Sequence, residues 1–249
     1  MIVYGANPVL EAIRSHPKRV RYVAIAREHS GRMQKVVAET KEAGVALRIL
    51  SVNEVNRLAG RGNVHNGVVA EVDAGAYADF HDTVENEATK FVLILDGITD
   101  PQNFGAILRV ADGFGVDLVV IPEHESVGLT PAAIKASAGA SEWVPVAQVT
   151  NLARAIDALK EKGFWVYAAA ADGDRADRID FTGKVALVMG SERKGVRRNV
   201  AEHCDRSVSI PMFGHVDSFN VASAAAVLCY EVVRQTRPGA PPSRSGSSE

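Results

Sequence analysis

The sequence predicts an α/β protein in which a small N-terminal unit precedes a larger unit built on a parallel sheet. Three observations carry this expectation. Strand-like and helix-like segments alternate along most of the 249 residues. The runs KFVLILD and DLVVI are apolar throughout, as strands covered by helices on both faces must be. Between the halves lies an acidic, small-residue-rich stretch without period, residues 73–88, which reads as a linker.

Taken in order, YGANPVLEAIRSH follows a strand-like stub and predicts a helix with Asn7 as N-cap and Pro8 in its first position. VRYVAIA is a strand, GRMQKVVAETKEAG a helix closed by Gly44, VALRIL a strand, VNEVNRLAG a short helix and GVVAEV a strand, completing a unit over 1–72. After the linker, residues 89–236 carry the strands KFVLILD, DLVVI, EWVPVAQV, FWVYAAA, KVALVMG and SVSIPM, with helices between them. Residues 237–249, RPGAPPSRSGSSE, hold no core residue and are expected to be a disordered tail.

Composition narrows the function classes. With 47% hydrophobic and 23% charged residues, the chain is an ordinary globular protein. No apolar run approaches the length of about eighteen residues that a membrane span needs, and no basic region precedes an apolar one at the N-terminus. A cytoplasmic location without a membrane partner is therefore expected. Cys204 and Cys229 show no C-x-x-C spacing, which supports neither a disulfide framework nor a metal site. The net charge of -2 conceals a segregation: residues 1–72 hold 11 Lys and Arg against 6 Asp and Glu, whereas residues 73–88 hold 5 Asp and Glu and no Lys or Arg. Such asymmetry suits a module that meets a polyanion, and equally a basic solvated face.

Three strands of the second half end in turns more polar than a chain reversal requires. In LDGITDPQNFGAILRVADGFG, Asp100-Pro101 starts a turn, Asn103 can cap the following helix, Gly105 permits a close approach and Arg109 lies off the apolar stripe of Ile107, Val110, Ala111 and Phe114. In LVMGSERKGVRRNV, Gly190 ends a strand and Ser191-Glu192 stand at an expected helix N-terminus. The neighbouring Arg193, Lys194, Arg197 and Arg198 suggest a phosphate. In SIPMFGHVDSFNVASAAA, Pro211 stops a strand, and Ser218 and Asn220 are candidate caps of an alanine-rich helix. Neither G-x-G-x-x-G after a strand nor G-x-x-x-x-G-K-[ST] occurs, so the sequence gives no support to a standard dinucleotide or P-loop site.

DPQNFGAILR, VMGSERKG and IPMFGHVDSFNVASAAA, in this order, resemble the three motifs of the SpoU family of RNA ribose 2'-O-methyltransferases. LTPAAIKASAGASEWVPVAQVTNLARAI is similar to the TrmH-like branch that modifies ribosomal or transfer RNA. VYGANPVLEAI and HNGVVAEV resemble the N-terminal substrate-binding domain of members acting on ribosomal RNA. The resemblance spans residues 2 to 236. It implies a SPOUT α/β domain with a parallel sheet and a deep trefoil knot, S-adenosyl-L-methionine as cofactor, ribosomal RNA as substrate and a homodimer whose interface lies near the helix after the third motif.

By position, the resemblance makes Arg109, Asn103, Glu192, Ser218 and Asn220 the residues of catalysis or RNA binding. It makes Gly190, Ile210 and Phe219 cofactor contacts, with Met212 and the alanine loop at 168–171, including Ala169, beside them. Arg193, Lys194 and Arg197 are assigned to RNA. His65 either stacks on a base or satisfies its own turn. Two departures stand out: the family often has Gly where Arg193 is, and usually Leu where Phe219 is. Transfer of methyl to a ribose hydroxyl of large-subunit RNA is the expected activity. A transfer-RNA enzyme of the same fold and an RNA-binding paralogue without catalysis are the alternatives.

Overall fold

In the computed structural model, residues 2–27, 31–60, 62, 64–72 and 77–237 are described. The first unit runs β1 (Ile2–Tyr4), α1 (Ala6–Ser15), β2 (Val20–Ala26), α2 (Gly31–Glu42), β3 (Ala46–Leu50), α3 (Val52–Ala59) and β4 (Val68–Val72). Its sheet has the order β1-β4-β2-β3; β4 is antiparallel to both neighbours, and β2 and β3 are parallel. The N-cap of α1 is Gly5 at φ 101°, rather than Asn7, and Pro8 stands in the third helical position. A proline costs nothing there, because N–H groups of the first turn have no intrahelical partner. Ser51 and Glu54 form a reciprocal capping box on α3.

The second unit continues with α4 (Phe80–Glu85), β5 (Phe91–Asp96), α5 (Pro101–Phe114), β6 (Leu118–Pro122), α6 (Pro131–Ala136), β7 (Val146–Val149), α7 (Leu152–Glu161), β8 (Phe164–Arg175), β9 (Lys184–Gly190), α8 (Arg198–Ala201), β10 (Arg206–Ser209) and α9 (Val221–Thr236). Its six strands are all parallel, in the order β10-β8-β9-β5-β6-β7. Alternation along β5 explains why that run had to be apolar throughout. Phe91, Leu93 and Leu95 enter the core that includes residues of α5 and α9, while Val92 and Ile94 enter the opposite core with residues of α4 and α7.

From β5 the chain winds outward through β6 to β7, then crosses to the other side, where β9 lies against β5. The carboxyl ends of β5 and β9 thus flank the point where the winding reverses, the position at which open parallel sheets bind ligands. The acidic stretch between the units contains α4, capped by Asp79, whose Phe80 and Val84 are buried against the large sheet. Residues 73–76 of that stretch and 238–249 of the expected tail lie outside the described residues. Arg237, the first tail residue, donates to the carbonyls of Phe114 and Gly115 at the end of α5.

The two units touch through α6 and the turn after it. Ile134 is buried in the core of the small unit. Lys135 Nζ donates to the Val64 carbonyl at 2.5 Å and stands 5.0 Å from the centre of the Tyr4 ring. Trp143 Nε1 donates to Glu11 Oε2 at 3.0 Å.

Candidate functional site

A cleft of about 510 Å3 opens between the ends of β5 and β9, bounded by the first turn of α5 and the loop after β9. Three polar side chains from the three separate turns meet at it. Asn220 Nδ2 donates to Glu192 Oε1 at 2.6 Å and to Asn103 Oδ1 at 2.9 Å, and Asn103 Nδ2 donates to Glu192 Oε1 at 3.2 Å. The orientation of Asn220 is set from outside the triangle, because its Oδ1 accepts the Ala222 N–H that caps α9. Its amide nitrogen is left to face Glu192. The carboxylate is thereby held by two donors that lie 89 and 28 residues away in sequence, a convergence that no local turn requirement explains.

Local chemistry differs from the sequence expectation at several places. Asp100, not Asn103, caps α5, accepting from Gln102 N at 3.0 Å with Pro101 in the first helical position. Asn103 lies one turn inside, so its side chain is available to Glu192. Ser191 and Glu192 do not begin a helix; they open a tight turn in which Gly195 N bonds back to Ser191 O at 2.8 Å. The following helix, α8, starts only at Arg198. Glu192 is therefore not a first-turn residue of the helix that follows it. Ser218 is exposed, and the cap of α9 is Asn220 alone.

Of the four cations in the second stretch, two are occupied. Arg197 Nε donates to Asp96 Oδ1 and its backbone N–H to Asp96 Oδ2, both at 2.7 Å, while Nη1 reaches Glu125 Oε2 at 2.8 Å. The Asp96 side chain is 0% exposed, so this arginine compensates a buried carboxylate at the end of β5 and ties the loop to the sheet. Arg198 pairs with Glu202, the C-cap of the helix that Arg198 begins. Arg193 and Lys194 are exposed, and their side chains form no ion pair among the described residues.

The glycines have reasons internal to the fold. A Cβ on Gly190 would lie 2.0 Å from the Gly195 carbonyl carbon and 2.1 Å from Val196 N, so the loop can double back only over a glycine. The close approach that Gly105 permits is that of α6, through Ala133 and Ala136.

Ala169 is not in a loop as expected: 168–171 lie within β8. There the β10 register jumps, Ser207 pairing with Ala168 and Val208 with Asp174, so residues 169–173 bulge from that ladder. Ala169 and Ile210 rest against the core on the α5 and α9 side, and Met212 is half-buried. From Met212 to Phe219 no backbone–backbone hydrogen bond forms among the described residues. Phe213, Val216 and Phe219 are exposed in the same segment.

Arg109 stands apart from the triangle. It follows Asn103 by six positions on α5, roughly 240° around the helix, and is exposed on that surface.

His65 satisfies its turn. Its Nδ1 accepts the Gly67 N–H at 3.0 Å and its Nε2 meets Asn56 Oδ1 at 2.6 Å, which requires the proton on Nε2. Burial, aided by the charge of Lys135, pushes its pKa below 6.5. Because the folded value lies below that of the unfolded chain, the stability contribution is full above pH 6.5 and is lost as the pH falls through the folded value. Exchange of the Gly67 amide, corrected for its intrinsic rate, is expected to be faster at pH 5 than at pH 7.5; equal protection at both would count against this role.

Burial pushes both thiols, Cys204 and Cys229, up to about 12, which leaves them inert. Among the described residues, no group of three or more His, Cys, Asp or Glu could hold a metal ion, and no helix is long and apolar enough to cross a membrane.

Comparison with known proteins agrees with this geometry. Residues 90–230 match the model of the SpoU rRNA methylase family, and residues 2–78 match that of the RNA 2'-O ribose methyltransferase substrate-binding domain. The 23S rRNA (guanosine-2'-O-)-methyltransferase RlmB of Yersinia pestis is 40% identical over 94% of this chain and 97% of its own. The SpoU methyltransferase AviRb of Streptomyces viridochromogenes, solved with the cofactor AdoMet, superposes with a TM-score of 0.78 at 25% identity, over 94% of this chain and 90% of that one. The TrmH/SpoU tRNA modifying enzyme of A. aeolicus, at 26% identity and a TM-score of 0.54, covers 63% of this chain and 80% of its own.

Proposed function

This chain belongs to the SpoU rRNA methylase family, and we propose that it transfers the methyl group of S-adenosyl-L-methionine to the ribose 2'-hydroxyl of a guanosine in large-subunit ribosomal RNA, in the cytoplasm. The observation that carries the reading is the convergence of Asn103, Glu192 and Asn220, one from each motif, at the carboxyl ends of β5 and β9. Ribosomal RNA is favoured over transfer RNA because the RlmB relative matches both units, whereas the transfer-RNA enzyme covers only 63% of the chain.

The residues present fit the cofactor. The unpaired backbone groups of residues 212–219 offer donors and acceptors for an adenine edge, beside exposed apolar side chains and the half-buried Ile210 and Met212. When bound, S-adenosyl-L-methionine supplies an electrophilic methyl group on a sulfonium. The protein's part is to align the ribose oxygen, keep water out and manage the departing proton. Glu192 and the two asparagines form a preorganised polar wall on which the ribose and its flanking phosphate are oriented. Arg193 and Lys194 extend that wall toward the RNA backbone. Arg109 anchors the phosphate next to the reacting ribose and stabilises the developing alkoxide, while the proton leaves to a phosphate oxygen or water. A guanidinium stays protonated in proteins and is no base.

A homodimer is part of this proposal. On α9, Tyr230 is 56% and Val227 42% exposed, and the Tyr230 ring packs edge-on against Phe114 of α5, the helix that bears Arg109. A second copy covering this face would take these exposed apolar side chains out of water. Light scattering is expected to show a dimer that Tyr230→Glu dissociates; a monomeric parent protein would refute it.

Asn220→Asp tests the triangle. Aspartate remains a good N-cap, but it sets a carboxylate against Glu192. Thermal stability should change little while methyl transfer falls roughly tenfold or more, as expected when a charge-assisted hydrogen bond is replaced by repulsion. Unchanged turnover would remove the triangle from catalysis.

The reading as a whole is tested by transfer of labelled methyl from S-adenosyl-L-methionine to unmodified ribosomal RNA and, separately, to transfer RNA, with mapping of alkali-resistant linkages. One resistant guanosine in the large-subunit RNA is the expected result. Label only in transfer RNA would move the substrate, and label in neither would leave an RNA-binding protein.

A further inference from the structure

A second cavity, of about 360 Å3, lies where the small unit meets the turn after α6, and the cleft just described does not include it. Its walls come from both units: His16 and Arg19 from the first, Glu142, Trp143 and Ile134 from the second. Its size suits a single planar group.

Three features say what that group is. Glu142 Oε2 is buried without a hydrogen-bond partner among the described residues, and an acceptor in that state is costly unless something donates to it. Burial pushes the Glu142 carboxyl above the ordinary carboxylate range, against the opposing charges of Arg19 and His16. The Trp143 indole is 54% exposed, yet its orientation is fixed, because Nε1 donates to Glu11 Oε2 at 3.0 Å. A large aromatic face left in solvent but locked in place is suited to stacking. Finally, the wall contributed by the small unit belongs to the part of the chain with the basic surplus, which favours a ligand attached to phosphate.

A planar ring with adjacent N–H donors on one edge, carried on a polyanion, is a guanine in RNA. We propose that this junction is a guanine subsite for a nucleotide of the substrate RNA other than the one methylated, with the base stacked on Trp143 and its N1–H and 2-amino group donating to Glu142. The proposal rests on RNA being the substrate. Because both units build the walls, an occupied subsite would also fix the small unit against α6, so RNA held there meets the cleft in one orientation.

The test uses the full chain carrying Trp165→Phe, which leaves Trp143 as the single tryptophan of two. The probes are the pentaribonucleotides UUGUU, UUIUU and UUAUU. UUGUU should quench Trp143, UUIUU should bind more weakly for want of the 2-amino group, and UUAUU about tenfold more weakly than UUGUU. Glu142→Gln, nearly isosteric, should weaken UUGUU by about tenfold, the scale of one hydrogen bond to a charged group. Trp143→Phe, read by anisotropy of labelled UUGUU, should weaken binding in a protein whose circular dichroism is unchanged. Equal binding of UUAUU and UUGUU at Trp143, an unchanged affinity in Glu142→Gln, or no quenching at all would overturn the subsite. Methyl transfer to ribosomal RNA is measured on the same preparation. Transfer without pentamer binding overturns the subsite alone, and pentamer binding without transfer overturns the proposed function alone.

Discussion

Arg109→Lys is expected to slow methyl transfer by about a hundredfold, the scale on which loss of one well-placed stabilising donor is felt, with binding of S-adenosyl-L-methionine and thermal stability close to those of the parent. The reason lies in the difference between the two cations. A guanidinium presents a rigid planar fork to a phosphate and remains fixed while charge develops on the neighbouring oxygen; an ammonium is a strongly hydrated point charge on a flexible stem. Arg109 is exposed on α5 and its side chain makes no hydrogen bond or ion pair among the described residues, so removing the fork disturbs nothing in the folded protein. Single-turnover rates and cofactor binding by calorimetry separate the two effects. A lysine enzyme that retains full turnover would falsify the assigned role.

Arg197→Ala is expected to cost about 3 kcal/mol of stability, at the lower end of what breaking a buried pair costs because the arginine itself is 40% exposed. For a chain of this size that corresponds to a fall in Tm of roughly 6–12 °C. The loss arises from Asp96, whose side chain is 0% exposed and, among the described residues, would keep only the Arg197 backbone N–H as a partner. Adding Asp96→Asn to Arg197→Ala should recover part of the loss, since the second change removes the uncompensated charge. The loop bearing Glu192 would still be untied from the sheet, so methyl transfer should stay low in the double variant. A double variant less stable than Arg197→Ala would show that Asp96 serves the fold through something other than this pair.

The contrast between these two arginines shows how far residue type and spacing reach. Both stand in polar stretches that resemble family motifs, and the resemblance assigns both to RNA or catalysis. Only the position of Asp96, 101 residues away, makes Arg197 a brace of the fold, and nothing near Arg197 in sequence announces it. The pattern EWVPVAQV predicts a strand from Glu142 onward, whereas β7 begins only at Val146 and both Glu142 and Trp143 stand in the turn before it. That a carboxylate oxygen and an indole face line a cavity between two units depends on how the small unit sits on α6, which has no signature in either segment.

What the sequence by itself determined is the architecture of layers and the place of the cleft. Runs apolar on both faces can be satisfied only by a sheet covered on both sides, as β5 is, and polar turns at the ends of β5, β9 and β10 had to gather at one edge of it. These are consequences of local pattern, because burial and strand direction act on every residue in turn. What only the tertiary structure decided is which polar groups meet. Asp100 rather than Asn103 caps α5, and Asn220 turns its amide to Glu192 because its oxygen is taken by α9. Gly190 is required by the chain folding back on itself. Hydrogen bonds and ion pairs are directional and short, so their partners are chosen by the last ångström of packing between segments distant in the chain.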